Sequence, residues 1–156
     1  MRIIAVSDTH GRNSILKKVL NKHLNADVII HLGDGIDDID GVPFPVNCSY
    51  VAVKGNVDFG SSEPIEKLLV LETKRMFLTH GHKYNVKRGY GALQVAAKSI
   101  NADVVLFGHT HTPYSDYIDG MYILNPGSLE LSKNSIPLFG VIDINEGRIV
   151  SYLQEV

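Results

Sequence analysis

The stretch VVLFGHTHTPY, residues 104–114, joins an apolar run to a glycine and two histidines. The run begins with the β-branched pair Val104 and Val105 and is short, which is typical of a buried strand. Three more runs in the first third of the chain, RIIAVSD, DVIIHLGD and YVAVKGN, have a similar composition. A helical pattern separates the first two, and this order predicts a parallel sheet with crossover helices.

Two segments carry apolar residues at helical spacing. The first is predicted to begin at Asn13 or Ser14, either of which can cap it, and to extend to about Leu24. The second is GYGALQVAAKSI, residues 89–100. Between the two helices, KLLVLET and KRMFLTHGH predict two strands that are joined by a tight turn at Thr73–Lys74.

The last third of the chain has a different pattern. The dipeptides Asp119–Gly120 and Glu146–Gly147 are hairpin signals between apolar runs, so this part predicts an antiparallel sheet. Two sheets and at least two helices fit an α/β fold in which the sheets face each other and the helices lie outside. For a chain of this length we expect a single domain, residues 1–156, with a sizeable core.

The composition is that of an ordinary globular protein, with 44% hydrophobic and 21% charged residues. A net charge of −2 and a pI near 6.4 provide no basic surplus for a nucleic-acid or membrane surface. Cys48 is the one cysteine, so it can form no internal disulfide. The N-terminal apolar run is too short for a signal peptide, and we expect a cytoplasmic location.

Five predicted strands are followed by side chains that can bind metal ions. In an open α/β sheet, ligands collect beyond the carboxyl ends of the strands, so these side chains are expected to meet. The candidates are Asp8 and His10 in SDTHG, Asp34 in LGDG, Asn56 in KGNVD, His80 in THGH, and His109 and His111 in GHTH. In an extended chain, residues i and i+2 point to the same side. The two residues of the first pair can therefore face one ion, and so can the two histidines of GHTH.

The ligand types indicate a catalytic metal site rather than a structural zinc site, because nitrogen and oxygen donors are present without thiolates. A single histidine near a strand is more often structural, but here five strand ends share the feature. Seven donors suit two ions, about 3.5–4 Å apart, that share a carboxylate and a water. Two divalent cations with two aspartates and a hydroxide leave a net positive charge. That charge favours a phosphate ester as substrate, with the hydroxide as nucleophile.

The same blocks resemble the motifs of the calcineurin-like metallophosphoesterases: D-x-H at 8–10, G-D at 33–34, G-N at 55–56, a histidine at 80 and G-H-x-H at 108–111. The small size, THGH and NPGS resemble in particular the compact YfcE-type phosphodiesterases of bacteria and archaea. The resemblance implies a four-layer αββα sandwich of two mixed sheets with flanking helices. It assigns one metal to Asp8, His10 and His111, and the other to Asn56, His80 and His109, with Asp34 as the bridge.

The resemblance also implies a function. The chain is expected to be a phosphoric ester hydrolase, chiefly a phosphodiesterase on activated or small diesters, with Asp34, Asn56 and His80 as catalytic residues. The expected cofactors are two divalent ions, with Mn²⁺ preferred over Ni²⁺, Mg²⁺, Fe²⁺, Co²⁺ or Zn²⁺. The expected partner is a small phosphate ester, not nucleic acid or membrane, and exposed C-terminal strands could pair in a homo-oligomer. The alternative is a non-catalytic scaffold like the retromer subunit that resembles this chain, although that subunit departs at the bridging and asparagine positions.

One position departs from the family pattern. Many relatives have histidine directly after the motif asparagine, where it can protonate the leaving oxygen, but this chain has Val57. We therefore expect the rate to depend steeply on the acidity of the leaving group. Four further residues are expected to support the site: Asp58 in the turn, His31 in the core, His82 in the pocket and Asn125 in a turn below it.

Overall fold

The computed structural model describes residues 1–130 and 136–156. Within these ranges the chain forms two α-helices, α1 (Asn13–Lys22) and α2 (Gly91–Ser99). The strands are β1 (Arg2–Val6), β2 (Val28–His31), β3 (Ser49–Ala52), β4 (Glu66–Leu71), β5 (Lys74–Thr79), β6 (Val104–Leu106), β7 (Tyr114–Ile118), β8 (Met121–Asn125), β9 (Leu138–Asn145) and β10 (Arg148–Glu155). Three short 3₁₀ turns cover Ile36–Ile39, His82–Tyr84 and Val86–Arg88.

The strands form two mixed sheets of five strands each. The first has the order β10-β9-β1-β2-β3, and the second has the order β4-β5-β6-β8-β7. The parallel pairs are β1 with β2 and β2 with β3 in one sheet, where β3 is an edge strand, and β5 with β6 and β6 with β8 in the middle of the other. Their carboxyl ends therefore meet at a common end of each sheet, where the predicted ligands follow.

The alternation of side chains along the strands explains the layers. Ile3 of β1 packs with Met76 of β5 in the core between the two sheets. The next residue, Ile4, faces the other side and packs with Leu16 of α1. On the outer face of the second sheet, Val105 packs against α2. The layers are thus helix, sheet, sheet, helix, which confirms the predicted αββα sandwich.

Two predictions about local structure were wrong. The turn between β4 and β5 lies at Glu72–Thr73 rather than one residue later, because Glu72 adopts a left-handed φ of 54° and β5 already begins at Lys74. Helix α1 begins at Asn13, but no side chain caps it. The Asn13 amide instead donates hydrogen bonds to the carbonyl oxygens of Asp38 (2.7 Å) and Asp40 (3.0 Å), which joins the helix to the first 3₁₀ turn.

The last third of the chain does not form one antiparallel sheet. Both predicted hairpins are present, as β7–β8 and β9–β10. However, β8 pairs in parallel with β6, while β9 pairs with β1, so each hairpin extends a different sheet. Strands β7 and β10 are therefore edge strands, and homo-oligomerisation through them stays a prediction. Neither of the two described helices has the length and apolarity needed to cross a bilayer.

Candidate metal centre

The loops that follow the parallel strands interlock at one end of the sandwich. The Asp8 N–H donates to Gly33 O (3.0 Å), and the Gly108 N–H donates to His80 O (3.1 Å). The His109 N–H donates to Asp8 Oδ2 at 3.1 Å. Because His109 follows β6 of the second sheet and Asp8 follows β1 of the first, this last bond joins the strand ends of both sheets in one site.

Six of the seven predicted ligands lie in two compact groups. The first group is Asp8, His10 and His111, and the second group is Asp34, His80 and His109; within each, the ligand atoms lie within 4.8 Å of one another. In the first group, His111 Nε2 lies 3.1 Å from Asp8 Oδ1 and 3.3 Å from His10 Nε2. In the second group, His80 Nε2 lies 3.3 Å from Asp34 Oδ2 and 3.1 Å from His109 Nδ1.

These separations fit donors that share one cation. Two donor atoms that lie about 2.0–2.2 Å from the same ion, at an angle near 90–100°, are roughly 2.8–3.4 Å apart. Each group therefore has the donor types and the spacing of a half-site for a divalent ion.

The Asp8 carboxylate provides a second test of the fit. Its Oδ2 accepts hydrogen bonds from Ser7 Oγ (2.6 Å) and from the His109 N–H (3.1 Å). Its Oδ1 is buried and accepts no well-directed hydrogen bond from the described residues, since the contact with His111 Nε2 at 3.1 Å lacks hydrogen-bond geometry. A buried carboxylate oxygen without a partner is costly. A cation held between Asp8 Oδ1 and the nearby Nε2 atoms would remove that cost.

The fully buried His80 ring is oriented by the backbone. Its Nδ1 lies 2.7 Å from Leu32 O, and a carbonyl oxygen only accepts, so Nδ1 carries a proton. In the neutral ring, Nε2 then presents a lone pair toward Asp34 Oδ2. Two acceptors at that distance require a cation between them, either a proton or a metal ion. A carbonyl partner on the far nitrogen is the usual arrangement for a metal-binding histidine.

The pKa values of His80 and Asp34 reflect the same contact in the metal-free protein. Burial is the largest single influence and disfavours charge on His80, but the contact with Asp34, the Asp8 carboxylate and the Leu32 carbonyl together outweigh it and raise the pKa of His80. Burial likewise opposes ionisation of Asp34, but the His80 imidazole and the Val57 N–H outweigh it and lower the pKa of Asp34 to about 2. Burial and the charge on His80 lower the pKa of His109 to about 4. The His109 imidazole is therefore neutral near pH 7, the form that binds metal.

The backbone at the site is unusual. Five of the six residues have left-handed φ angles: Asp8 (53°), His10 (44°), Asp34 (58°), His109 (70°) and His111 (57°). Such non-glycine residues cost of order 1–3 kcal/mol each and persist only where surrounding contacts fix them. The prediction that residues i and i+2 of an extended chain face one ion was therefore wrong in its geometry. The turns do keep Asp8 and His10 in one group, but they separate His109 from His111.

Two glycines allow the loops to approach closely. A Cβ atom at Gly108 would collide with Ser7 Oγ and with Asp8 Oδ2. At Gly33, where φ is +99°, a Cβ would lie 2.5 Å from the nitrogen and 2.7 Å from the Cα of Gly55. Any larger residue at either position would push the ligand-bearing loops apart.

Asn56 is exposed and lies on the loop that follows β3. The next residue, Val57, donates its N–H to Asp34 Oδ1 at 3.0 Å. Asp58 then accepts the N–H groups of Asp34 (2.8 Å) and Gly55 (2.7 Å), so its carboxylate ties the loop after β2 to the loop after β3. The role of Asn56 as a ligand stays a prediction.

A chain of hydrogen bonds lies beneath the two groups and links the loops that carry them. Sequence reasoning missed most of this chain. His31 Nδ1 accepts the Gly33 N–H (3.1 Å), so its Nε2–H donates to Thr9 Oγ1 (3.2 Å). Thr9 Oγ1 donates to Asp38 Oδ2 (2.5 Å), which also accepts the Gly11 N–H (2.7 Å). Burial lowers the pKa of His31 to about 4, which keeps its ring neutral. Asp38 lies in the acidic run DGIDDIDG, whose composition indicates only a surface segment.

Three further polar residues lie around the groups. The Asn125 amide donates to Gly108 O (3.0 Å) and to Thr110 Oγ1 (2.9 Å), which supports the GHTH loop. Ser128 Oγ donates to Asp8 O at 2.7 Å. The His82 ring lies 5.5 Å from the His80 ring, measured between centroids, and is placed at the edge of the second group. These residues orient the loops around the predicted ligands.

The comparison with known families agrees with this geometry. The family model of the calcineurin-like phosphoesterase superfamily domain matches residues 1–147. The chain belongs to this superfamily. The resemblance inferred from the motifs is thereby confirmed, and with it the description of the chain as a metal-binding hydrolase of the phosphoesterase class.

Two curated relatives match over nearly the whole chain. A Mycoplasma pneumoniae protein named "Probable metallophosphoesterase" is 34% identical over 153 residues, which cover 95% of this chain and 92% of the relative. Phosphodiesterase YfcE of Escherichia coli K12 is 28% identical over 169 residues, which cover 92% of this chain and 88% of the relative. Among solved structures, Vps29 of Entamoeba histolytica complexed with Zn²⁺ is 19% identical with a TM-score of 0.76, covering 99% of both chains. At that identity the likeness supports the fold alone.

Proposed function

We propose that the protein is a two-metal-dependent phosphoric ester hydrolase that acts chiefly on activated or small phosphodiesters. The observation that carries the proposal is the pair of Asp/His groups at the strand ends, each with its donor atoms within 4.8 Å of one another. Membership in a phosphoesterase superfamily and the name of the relative YfcE support the choice of a phosphodiester substrate.

In this proposal, one ion is held by Asp8, His10 and His111, and the other by Asn56, His80 and His109, with Asp34 shared between them. When bound, two such ions polarise the phosphoryl oxygens and lower the pKa of water toward neutrality. Mn²⁺ is our first choice because imidazole and carboxylate donors suit it, and Ni²⁺, Mg²⁺, Fe²⁺, Co²⁺ and Zn²⁺ are the other candidates.

The chain's own residues prepare the site for this chemistry. The Leu32 carbonyl keeps the His80 proton on Nδ1, so that Nε2 is directed toward Asp34 Oδ2. The Val57 N–H occupies the other oxygen of Asp34. The Val57 side chain, which is 43% exposed, has no proton to give. The leaving oxygen would therefore depart as an anion, and substrates with acidic leaving groups would react best.

The test is hydrolysis of bis(p-nitrophenyl) phosphate by protein that has been stripped with a chelator and reloaded with each of the six ions. We expect no turnover in the stripped protein, recovery with at least one ion, and a loss of at least about tenfold in metal affinity or activity in the Asp34→Asn variant. The matched control is Asp37→Asn, an exposed aspartate three residues away. Failure of all six ions to restore turnover would contradict the proposal.

The second candidate function is a non-catalytic scaffold on the same fold. The likeness to Vps29 favours it, but that likeness supports the fold alone. Because that Vps29 structure is a Zn²⁺ complex, metal binding by itself does not separate the two functions. Turnover does: a protein that binds two ions per chain and hydrolyses no diester would be a scaffold.

A further inference from the structure

A cavity of about 320 Å³ lies directly beside the first group. Among the described residues, its walls include His111, Pro113, Ser128, Leu138 and Glu155. His111 belongs both to this wall and to the first group, and Ser128 donates its hydroxyl to the carbonyl oxygen of Asp8 at 2.7 Å. The cavity therefore shares one wall residue with the candidate metal centre and adjoins it.

The walls of the cavity favour an uncharged apolar group. Its lining is mainly apolar and includes Pro113, Ile136 and Leu138, and the described part of it contains no lysine or arginine. Glu155 lies in the wall, and Glu130 Oε2 lies 3.8 Å from Nδ1 of His111. Two carboxylates would repel an anionic substituent. The volume is at the lower end of the range for small-molecule pockets, roughly 300–1,000 Å³, which suits a group the size of an aromatic ring.

We infer that this cavity binds the alcohol substituent that remains on the phosphate, and that it selects an uncharged apolar group there. The inference rests on the proposed hydrolase function. In an in-line displacement, the leaving group departs on the side opposite to the nucleophile. Because His111 belongs both to the cavity wall and to the first group, we place the retained substituent of the phosphate in this cavity.

The test compares two diesters with the same leaving group, methyl p-nitrophenyl phosphate and phenyl p-nitrophenyl phosphate. In the wild type, kcat/KM should favour the phenyl diester. In Leu138→Ala the phenyl-to-methyl ratio should fall at least about fivefold, because contacts to one or two carbon atoms in an apolar pocket carry that much selectivity. Ile136→Ala should lower the same ratio, and its side chain is 61% exposed, so folding is preserved.

The matched control is Val150→Ala, at the opposite end of the β9–β10 ribbon, which should leave the ratio unchanged. A third diester, 4-carboxyphenyl p-nitrophenyl phosphate, should react more slowly than the phenyl diester, and Glu155→Gln should narrow that gap. An unchanged ratio in both Leu138→Ala and Ile136→Ala, or a preference for the carboxyphenyl diester, would overturn the inference. If the wild type hydrolysed none of the three diesters with any ion, the proposed function itself would fail.

Discussion

Replacing Asp58 by asparagine is expected to loosen the second group without changing any of its ligands. The Asp58 carboxylate accepts four backbone N–H groups from two loops. Oδ2 accepts from Asp34 (2.8 Å) and Gly55 (2.7 Å), and Oδ1 accepts from Gly35 (2.7 Å) and Ile36 (3.3 Å). Asparagine has the same shape, but its NH₂ group cannot accept. In either orientation of the amide, two of the four N–H groups face another donor.

The expected loss of stability is worked out for the orientation of the introduced asparagine amide that costs the least free energy. If the amide oxygen keeps the Asp34 and Gly55 bonds, the short Gly35 bond and the long Ile36 bond are lost. A hydrogen bond to a charged group contributes about 1.5–3 kcal/mol, and the two bonds that remain are weakened when the acceptor becomes neutral. Because Asp58 is half-buried, water compensates part of the loss. We expect a decrease of about 2–4 kcal/mol in the free energy of unfolding.

The assay has two parts. Urea unfolding of the metal-free protein measures the loss of stability, and calorimetric titration with Mn²⁺ should show about 10–100-fold weaker binding at one of two sites, because the Asp34 loop is no longer held. Asp37→Asn is the matched control, since it removes the same charge from the neighbouring 3₁₀ turn, and the described residues give its exposed side chain no hydrogen bond. If Asp58→Asn and Asp37→Asn had the same unfolding midpoint and metal affinity, the reasoning would be refuted.

Three further predictions concern single positions. Gly108→Ala should abolish metal binding at the first group, measured by titration, because its Cβ collides with Ser7 and Asp8; Gly91→Ala, with open space around it, should bind normally. Val57→His should flatten the dependence of the rate on leaving-group pKa across an aryl diester series. An equally steep slope would contradict a role for this position in protonating the leaving oxygen. Asp143→Asn should cost about 0.5–1 kcal/mol of stability at neutral pH, because the Arg2 guanidinium lowers the pKa of Asp143 below the ordinary 3.8. This cost should disappear as the pH falls through the lowered value, and urea unfolding across an acid pH series would check it.

Much of the site could be predicted because each ligand immediately follows a strand. Apolar runs such as Val104–Leu106 are recognisable in a sequence, and the carboxyl ends of parallel strands must meet. The grouping of the ligands came from the family resemblance and not from the pattern of residues, because it depends on φ angles. Nothing in the letters GHTH indicates that His109 (φ 70°) and His111 (φ 57°) both adopt left-handed turns that direct them to different groups.

The hydrogen bonds that support the site could not be predicted from the sequence for a different reason. Asp38 accepts from Thr9, 29 positions away in the chain, and Ser128 donates to Asp8, 120 positions away. Such pairs exist only once the loops are folded together, so local pattern carries no sign of them. The two C-terminal hairpins show the same limit. Their turns depend on the local sequence, but long-range packing determines which sheet each hairpin joins. Turn residues such as Gly120 and Gly147 therefore predicted the hairpins and not their partners.

The structure also explains why this fold can be kept with or without catalysis. The ligands lie on loops at the strand ends, whereas the three apolar clusters that hold the layers together consist of other residues. The contacts that shape the loops, from Asp58, Asn125 and Ser128, are directed mainly to backbone groups and do not depend on which side chains the loops present. A relative could therefore exchange ligands and retain the sandwich, since the fold is kept at 19% identity with a TM-score of 0.76. It follows that likeness of fold cannot decide the function of this chain. The surroundings of Asp8 Oδ1 and His80 Nε2 bear on metal binding, and turnover decides between a hydrolase and a scaffold.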